Sequence, residues 1–198
     1  MAKRLFDLSI STLALAVLAL PMVIIALWVR WDSPGPALYR QVRVGHHGLP
    51  FRILKFRTMH RNADRVGLSI TVGQDPRITR AGRWLRRTRV DEIPQLINVL
   101  LGQMSLVGPR PEVPAYLVHY PPEVREVVLS VRPGITDPAA LAFRHEAREL
   151  SLVDDPQRHY IEQVLPAKLR LQADYIGKAT LLSDLRVLVA TLGVLRGR

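Results

Sequence analysis

The chain has 198 residues, with 28 Lys and Arg against 17 Asp and Glu, for a formal charge of +11. Apolar residues make up 48%, which excludes a disordered or collagen-like chain, and the length suits one domain or one domain with a membrane anchor. There is no cysteine, so disulfide frameworks, thiolate metal sites and cysteine nucleophiles are excluded and the chain fits a reducing compartment. The charge is concentrated: between Arg40 and Arg110 stand 14 basic residues against Asp64, Asp75, Asp91 and Glu92, and this +10 segment calls for an anionic partner. Of the 28 basic residues 24 are Arg, a bias that suits forked recognition of phosphate or carboxylate oxygens and equally a GC-rich genome.

In chain order the first feature is apolar. Leu8 to Val29 are 22 uncharged residues, and as one helix they extend about 33 Å, close to the ~30 Å hydrocarbon thickness of a bilayer. The stretch is long for a signal peptide, and Trp28, Arg30 and Trp31 make a poor cleavage context. Basic residues flank both ends, Lys3 and Arg4 before and Arg30, Arg40 and Arg43 after, and a single crossing cannot keep both flanks on the cytoplasmic side. Pro21 removes a backbone donor inside the stretch and predicts a bend there. Two topologies follow: a kinked spanning helix, or a re-entrant helix-break-helix over residues 1–31 with Trp28 and Trp31 at the interface.

Asp32-Ser33-Pro34-Gly35-Pro36 is turn chemistry and marks a boundary, so residues 32–198 form an interfacial domain integrated with the anchor. Leu38 to Val44 and Phe51 to Met59, separated by Gly45-His46-His47-Gly48, predict a small β-hairpin. Thr79 caps a predicted helix over Arg80 to Thr88, with Arg80, Arg83, Arg86 and Arg87 on one face and Ala81, Trp84 and Leu85 on another, a pattern suited to an anionic membrane surface. Asp91 and Glu92 fall at the N-terminus of a helix carrying Leu96, Ile97, Leu100 and Leu101, with Pro94 in its first turn. Val124 to Val131 is a short helix or strand, and Arg132-Pro133-Gly134 is a turn. Ala139 to Leu152 and His159 to Ile176 read as helices, the second interrupted early by Pro166, and Leu181 to Arg198 is an amphipathic helix. The expected class is α+β, mainly α-helical, with interfacial amphipathic helices and a small β-hairpin.

Phosphate-binding glycine motifs of the Walker or dinucleotide type are absent. His46-His47 lacks the spacing of a metal-ligand pair on one helix face, and Asp154-Asp155 before Pro156 reads as a turn or cap. Asp91-Glu92 is different, because two adjacent acids follow five Arg in twelve positions and open a helix. Lys55-Phe56-Arg57 and Gly108-Pro109-Arg110-Pro111 supply further cations. A carboxylate among phosphate-binding cations can hold Mg²⁺ or attack phosphorus itself; the plainer alternative is a helix cap with structural ion pairs.

The segments Asp91-Glu92-Ile93-Pro94-Gln95-Leu96-Ile97-Asn98-Val99-Leu100 and Met104-Ser105-Leu106-Val107-Gly108-Pro109-Arg110-Pro111 resemble the motifs of bacterial monotopic phosphoglycosyl transferases, also called sugar transferases. Lys3-Arg4-Leu5-Phe6-Asp7, Lys55-Phe56-Arg57-Thr58-Met59 and Arg132-Pro133-Gly134-Ile135-Thr136 extend the resemblance nearly end to end, at the length of the family's minimal catalytic domain. The resemblance implies a re-entrant membrane helix broken at Pro21 and a place on the cytoplasmic face of the bacterial inner membrane. It implies transfer of a sugar 1-phosphate from a UDP-sugar to polyprenyl phosphate, with release of UMP, at the start of glycoconjugate or exopolysaccharide assembly. By the same resemblance Asp91 is the nucleophile of a covalent phosphosugar intermediate and a ligand of Mg²⁺, and Glu92 assists. Lys55, Arg86, Arg110 and Arg132 are then candidates for phosphate and nucleotide contacts, beside Arg57 of the same basic motif.

Three positions depart from the family pattern: Leu20 before Pro21 in place of Ser, Gln103 in place of Asp, and Asp137-Pro138 where Gly often follows Ile-Thr. Two other classes compete with the enzyme. One is a membrane-tethered basic protein binding nucleic acid or anionic lipid, which leaves Asp91-Glu92 inside the basic zone unexplained. The other is an inactive homologue. The enzyme reading expects membrane lipid as a partner and no nucleic acid. The donor sugar is not readable from these residues, and monomer and homo-oligomer are both open.

Overall fold

The structure, a computed structural model, describes residues 1–63, 68 and 70–196, with Leu195 and Arg196 described by backbone alone. Asp64 of the basic segment and Arg198 of the last helix lie outside the described residues. The fold is mainly helical with one small antiparallel hairpin, as the composition and patterning predict.

Helix α1 (Ala2–Asp32) runs without a break through Pro21, so the helix-break-helix expected there is not what forms. Proline's fixed φ suits a helix, and the penalty is one lost hydrogen bond and a crowded carbonyl, about 3 kcal/mol. Packing overrides it. Phe6, Ala14 and Leu15 join one core cluster, and Met22, Ile25, Ala26 and Val29 join another, so a stripe at helical spacing rests on the body on both sides of Pro21. Among the described residues this is the one helix long and apolar enough to cross a membrane. Its outer face is bare: Leu13, Val17, Leu20, Val23, Ile24 and Leu27 are each more than half exposed.

Both ends of α1 are tied to the same body. Near its start Arg4 donates to the carbonyls of Val99 (2.7 Å) and Leu100 (3.2 Å), and buried Asp7 accepts from Ser105 Oγ (2.8 Å) and the Leu106 amide (3.2 Å). Lys3 reaches Val107 O and pairs with Asp184. At its end Arg57 donates to Val29 O (3.0 Å) and Ser33 O (2.6 Å), and Asp32 accepts from the Ala81 amide (3.0 Å).

Strands β1 (Leu38–Val44) and β2 (Pro50–Phe56) form the expected antiparallel hairpin, in register from Leu38↔Phe56 to Val44↔Pro50. β2 buries Phe51, Ile53 and Phe56. Helix α2 (Arg80–Thr88) follows its Thr79 cap, whose Oγ1 accepts from the Gly82 amide at 3.0 Å. Helix α3 (Gln95–Leu100) then leads into β3 (Ser105–Val107).

Strand β3 pairs in parallel with β4 (Gly134–Thr136), a contact absent from the sequence reading, which saw only a turn at Arg132-Pro133-Gly134. The two glycines there are required by close approach: a Cβ on Gly134 would sit 2.1 Å from the Gly108 nitrogen, and one on Gly108 would sit 2.6 Å from the Arg132 oxygen.

The C-terminal half is helical. α4 (Pro122–Leu129) settles the helix-or-strand segment as helix. The single helix expected over 139–152 is two, α5 (Pro138–Ala142) and α6 (Glu146–Leu150), parted where the backbone leaves the helical region at Phe143 and His145; Asp137 caps the first, its side chain accepting from the Ala140 amide. Between α7 (Pro156–His159) and α8 (Leu165–Lys178) the chain makes a wide π-type turn over Tyr160–Val164. That turn accommodates Pro166, whose ring would crowd the Glu162 carbonyl in a regular helix. Helix α9 (Leu181–Arg196) buries Asp184 and Val187 and leaves Leu182, Val189 and Leu192 exposed.

Candidate active site

Helix α2 buries Ala81 and Leu85 and ends at Arg89, which turns the chain in the left-handed region (φ 58°). A non-glycine residue there is uncommon. It swings Val90–Glu92 into a tight turn that leads to α3 and sets Asp91 and Glu92 on the inner side, 7% and 8% exposed.

Glu92 is saturated with cations. Arg110 Nη1 donates to its Oε2 at 2.9 Å and Nη2 to its Oε1 at 2.6 Å, a forked contact, while Lys55 Nζ lies 3.4 Å and Arg89 Nη1 3.6 Å from Oε1. Burial raises the Glu92 carboxyl, but Arg110 and Lys55 outweigh it and hold the group well below the usual carboxylate range. Burial lowers Lys55, with Glu92 pulling the other way.

Asp91 is the opposite case. Neither of its carboxylate oxygens has a hydrogen-bond or ion-pair partner among the described residues. Burial, together with the Glu92 charge, pushes it up to about 6 against the pull of Lys55, Arg86 and Arg110. Arg86 is drawn in from the exposed face assigned to it: Nε donates to Thr58 Oγ1 (2.8 Å) and Nη1 to Thr71 Oγ1 (2.9 Å). Arg80, Arg83 and Arg87 stay exposed.

Of the residues singled out from the sequence, Asp91, Glu92, Lys55, Arg86 and Arg110 come together, and Arg57 and Arg132 do not. The Arg57 guanidinium is held at the end of α1, its Nη2 donating to the carbonyls of Val29 and Ser33 while its buried Nε and Nη1 have no hydrogen-bond partner among the described residues, and a Cβ on Gly35 would stand 2.2 Å from Nη1. Arg132 donates from Nε to Gly102 O at 2.8 Å, at the far end of α3 from Asp91. Pro21 lies inside α1 and is exposed.

Several supporting residues were not legible in advance. Asn98 clamps α3 to β2, accepting from the Leu54 amide (2.9 Å) and donating to Arg52 O (2.9 Å) and Gln103 Oε1 (2.7 Å). Gln103 thus supplies a plain hydrogen-bond acceptor at the position where it departs from the family. Asp137, the other departure, is 1% exposed and accepts from the Arg110 amide (2.9 Å) and from Gln172 Nε2 of α8 (2.7 Å). Arg43 Nη1 donates to Pro111 O (3.0 Å) from the other side. The loop that carries Arg110 is therefore fixed from α8 and β1. The one advance signal was the departure at Asp137 itself.

No group of three or more His, Cys, Asp or Glu side chains gathers among the described residues as a metal cage. A divalent ion fits here only as Mg²⁺ often binds, through one carboxylate, waters and the phosphate oxygens of a substrate. The Asp91 carboxylate could supply that one ligand. The arrangement as a whole offers, among the described residues, one unpaired carboxylate beside four cationic side chains, a setting with the charge to accommodate a diphosphate and a group able to attack it.

The sequence profile of a family described as bacterial sugar transferase matches residues 1–198. A UDP-glucose:undecaprenyl-phosphate glucose-1-phosphate transferase of Caulobacter vibrioides is 36% identical over 192 residues, covering 96% of this chain and 68% of that protein. An exopolysaccharide production protein of Rhizobium leguminosarum is 39% identical over 207 residues, covering 96% of this chain and 92% of that one. An undecaprenyl-phosphate glucose phosphotransferase of Komagataeibacter xylinus is 38% identical over 196 residues, with 96% of this chain and 35% of the relative covered.

Proposed function

Because the chain belongs to the bacterial sugar transferase family, we propose that it moves a sugar 1-phosphate from a UDP-sugar to polyprenyl phosphate and releases UMP, with Asp91 as nucleophile. The observation that carries this reading is the contrast within the dyad: Glu92 is neutralised by Arg110, Lys55 and Arg89, while the adjacent Asp91 carboxylate has no hydrogen-bond or ion-pair partner among the described residues. A carboxylate kept free while buried is costly for stability, and its use is chemical.

An Asp91 oxygen attacks the sugar-bearing phosphorus of the donor, the bond from that phosphorus to the bridging oxygen breaks, and UMP departs with the electron pair. An oxygen of polyprenyl phosphate then attacks the same phosphorus, and the Asp91 carboxylate is the leaving group. Lys55, Arg86 and Arg110 face the diphosphate and lower the repulsion that an anionic nucleophile meets on approach. Arg110 and Lys55 are shared with Glu92, which fixes their positions before substrate arrives. When bound, Mg²⁺ supplies further charge neutralisation between Asp91 and the phosphates.

The acceptor phosphate sits at headgroup level, so the site must lie at the membrane surface. Both ends of α1 dock on one body, its outer face is apolar, and both flanks are basic. These features support entry into one leaflet from the cytoplasmic face of the inner membrane, without a crossing. Residues 1–31 then act as an anchor that is part of the catalytic body, since α1 completes two core clusters.

The test is UMP release by the full chain in nanodiscs with Mg²⁺, decaprenyl phosphate and a panel of UDP-sugars, beside Asp91→Asn. Turnover by the wild type with one donor and none by the folded variant is expected. An Asp91→Asn protein that keeps its rate would refute the covalent route.

A further inference from the structure

Away from Asp91, a cleft of about 640 Å³ opens where the end of α1 meets the first turn of α2, bordered by Trp28, Trp31, Asp32, His60, Arg80 and Arg83. Its volume lies in the range of small-ligand sites, roughly 300–1,000 Å³. Arg80 and Arg83 are both exposed and neither is in an ion pair among the described residues; the Arg83 guanidinium makes one long hydrogen bond, 3.4 Å to Ile78 O. The acid in the cleft, Asp32, is already committed, accepting from the Ala81 amide at 3.0 Å and standing beside the buried Arg57 charge. The lining is therefore cationic and short of an anion.

Depth identifies the source of that anion. Trp31 is 90% exposed at the end of the apolar helix, and an indole in that position belongs at the headgroup level of a bilayer. Trp28 meets Trp84 of α2 edge to face, ring centroids 5.6 Å apart, so the exposed side of α2 lies at the same depth. An anion that reaches Arg80 and Arg83 beside an uncovered indole arrives attached to an acyl tail. Arg87 shares the exposed side of α2 but stands outside the cleft.

We propose that this cleft binds the phosphodiester headgroup of an anionic phospholipid, with Arg80 and Arg83 on the phosphate and the indoles of Trp28 and Trp31 along the glycerol and first acyl carbons. The site is separate from the substrate positions at Asp91, and it rests on the proposed function only in taking α1 as membrane-embedded. A lipid seated there pins the α1–α2 junction, and α2 runs from that junction to Arg86 and Arg89 at the dyad.

The experiment reconstitutes the full chain in nanodiscs of phosphatidylcholine with and without phosphatidylglycerol and counts the lipids retained per protein by native mass spectrometry. Arg80→Gln/Arg83→Gln is compared with the charge-matched Arg87→Gln/Arg170→Gln, all exposed positions, with thermal unfolding as the control for folding. Wild type should retain phosphatidylglycerol selectively, and the cleft variant should lose it by about tenfold or more, the equivalent of one charge-assisted hydrogen bond, while the control keeps it. Equal loss in both variants would overturn the proposal in favour of diffuse surface charge. Displacement of phosphatidylglycerol by added decaprenyl phosphate would overturn it in favour of an acceptor site. Incorporation into pure phosphatidylcholine reports α1 alone: failure there would refute the membrane reading and this proposal together, whereas incorporation without phosphatidylglycerol selectivity would refute this proposal only.

Discussion

Replacing Arg110 by Met tests whether Glu92 owes its charge to the forked contact. Arg110 donates to Glu92 at 2.9 and 2.6 Å and to Ile135 O at 2.8 Å, with side-chain exposures of 29% for Arg110 and 11% for Glu92. Removing one member of a buried pair costs ~3–5 kcal/mol, chiefly because the other charge is left uncompensated. Lys55 at 3.4 Å and Arg89 at 3.6 Å stay in place, and solvent reaches Arg110, so the cost falls to the bottom of that range or just below it, about 2–3 kcal/mol. For a chain of this size that is a fall in Tm of about 4–12 °C. Turnover should fall further, by about 10²-fold, since the same guanidinium is aimed at the diphosphate. Arg110→Lys should recover little, because an ammonium cannot make the fork. The assays are thermal unfolding in detergent and UMP release. A Tm within about 2 °C of wild type would mean that Arg110 does not carry the compensation of Glu92, and the argument for a neutralised partner beside a free nucleophile would fail.

Asp91→Asn should raise Tm while abolishing turnover, because a neutral isostere removes a buried, unpaired charge beside Glu92; a lower Tm in thermal unfolding would contradict the description of Asp91 as uncompensated. Gln172→Leu removes one of the bonds that hold Asp137 beneath Arg110. It should lower kcat by about tenfold with KM for the donor little changed, and speed hydrogen exchange at the Arg110 amide, read by mass spectrometry. Asp75 is held below its ordinary value by hydrogen bonds from Arg77, so Asp75→Asn should cost about 2 kcal/mol at pH 7. A depressed carboxylate stabilises above its unfolded pKa of 3.8, so the Tm gap between wild type and variant should be full near neutrality and close as pH falls below that value.

Much of the molecule was legible in the sequence because its signals are local. The Thr79 cap and α2, the hairpin around Gly45 to Gly48, the apolar helix, and the place of Asp91 and Glu92 before α3 each depend on residues within a few positions of one another. The cations of the site were legible as a set, from charge density and from resemblance. Their individual roles were not, because role follows from which carbonyl or carboxylate a guanidinium meets. Arg57 and Arg110 are both motif arginines, yet one meets the end of α1 and the other meets Glu92.

The sequence by itself determined a basic, mainly helical chain with a long apolar N-terminal helix and a paired acid at a helix start, since periodicity, capping and composition act over short range. Only the tertiary structure decided that α1 stays helical through Pro21, that β3 and β4 pair across Gly108 and Gly134, and that Asp137 and Gln172 brace the Arg110 loop. These are contacts between segments distant along the chain. Each is settled by packing and hydrogen-bond satisfaction, energies that no local pattern encodes and that can exceed a local preference such as proline's.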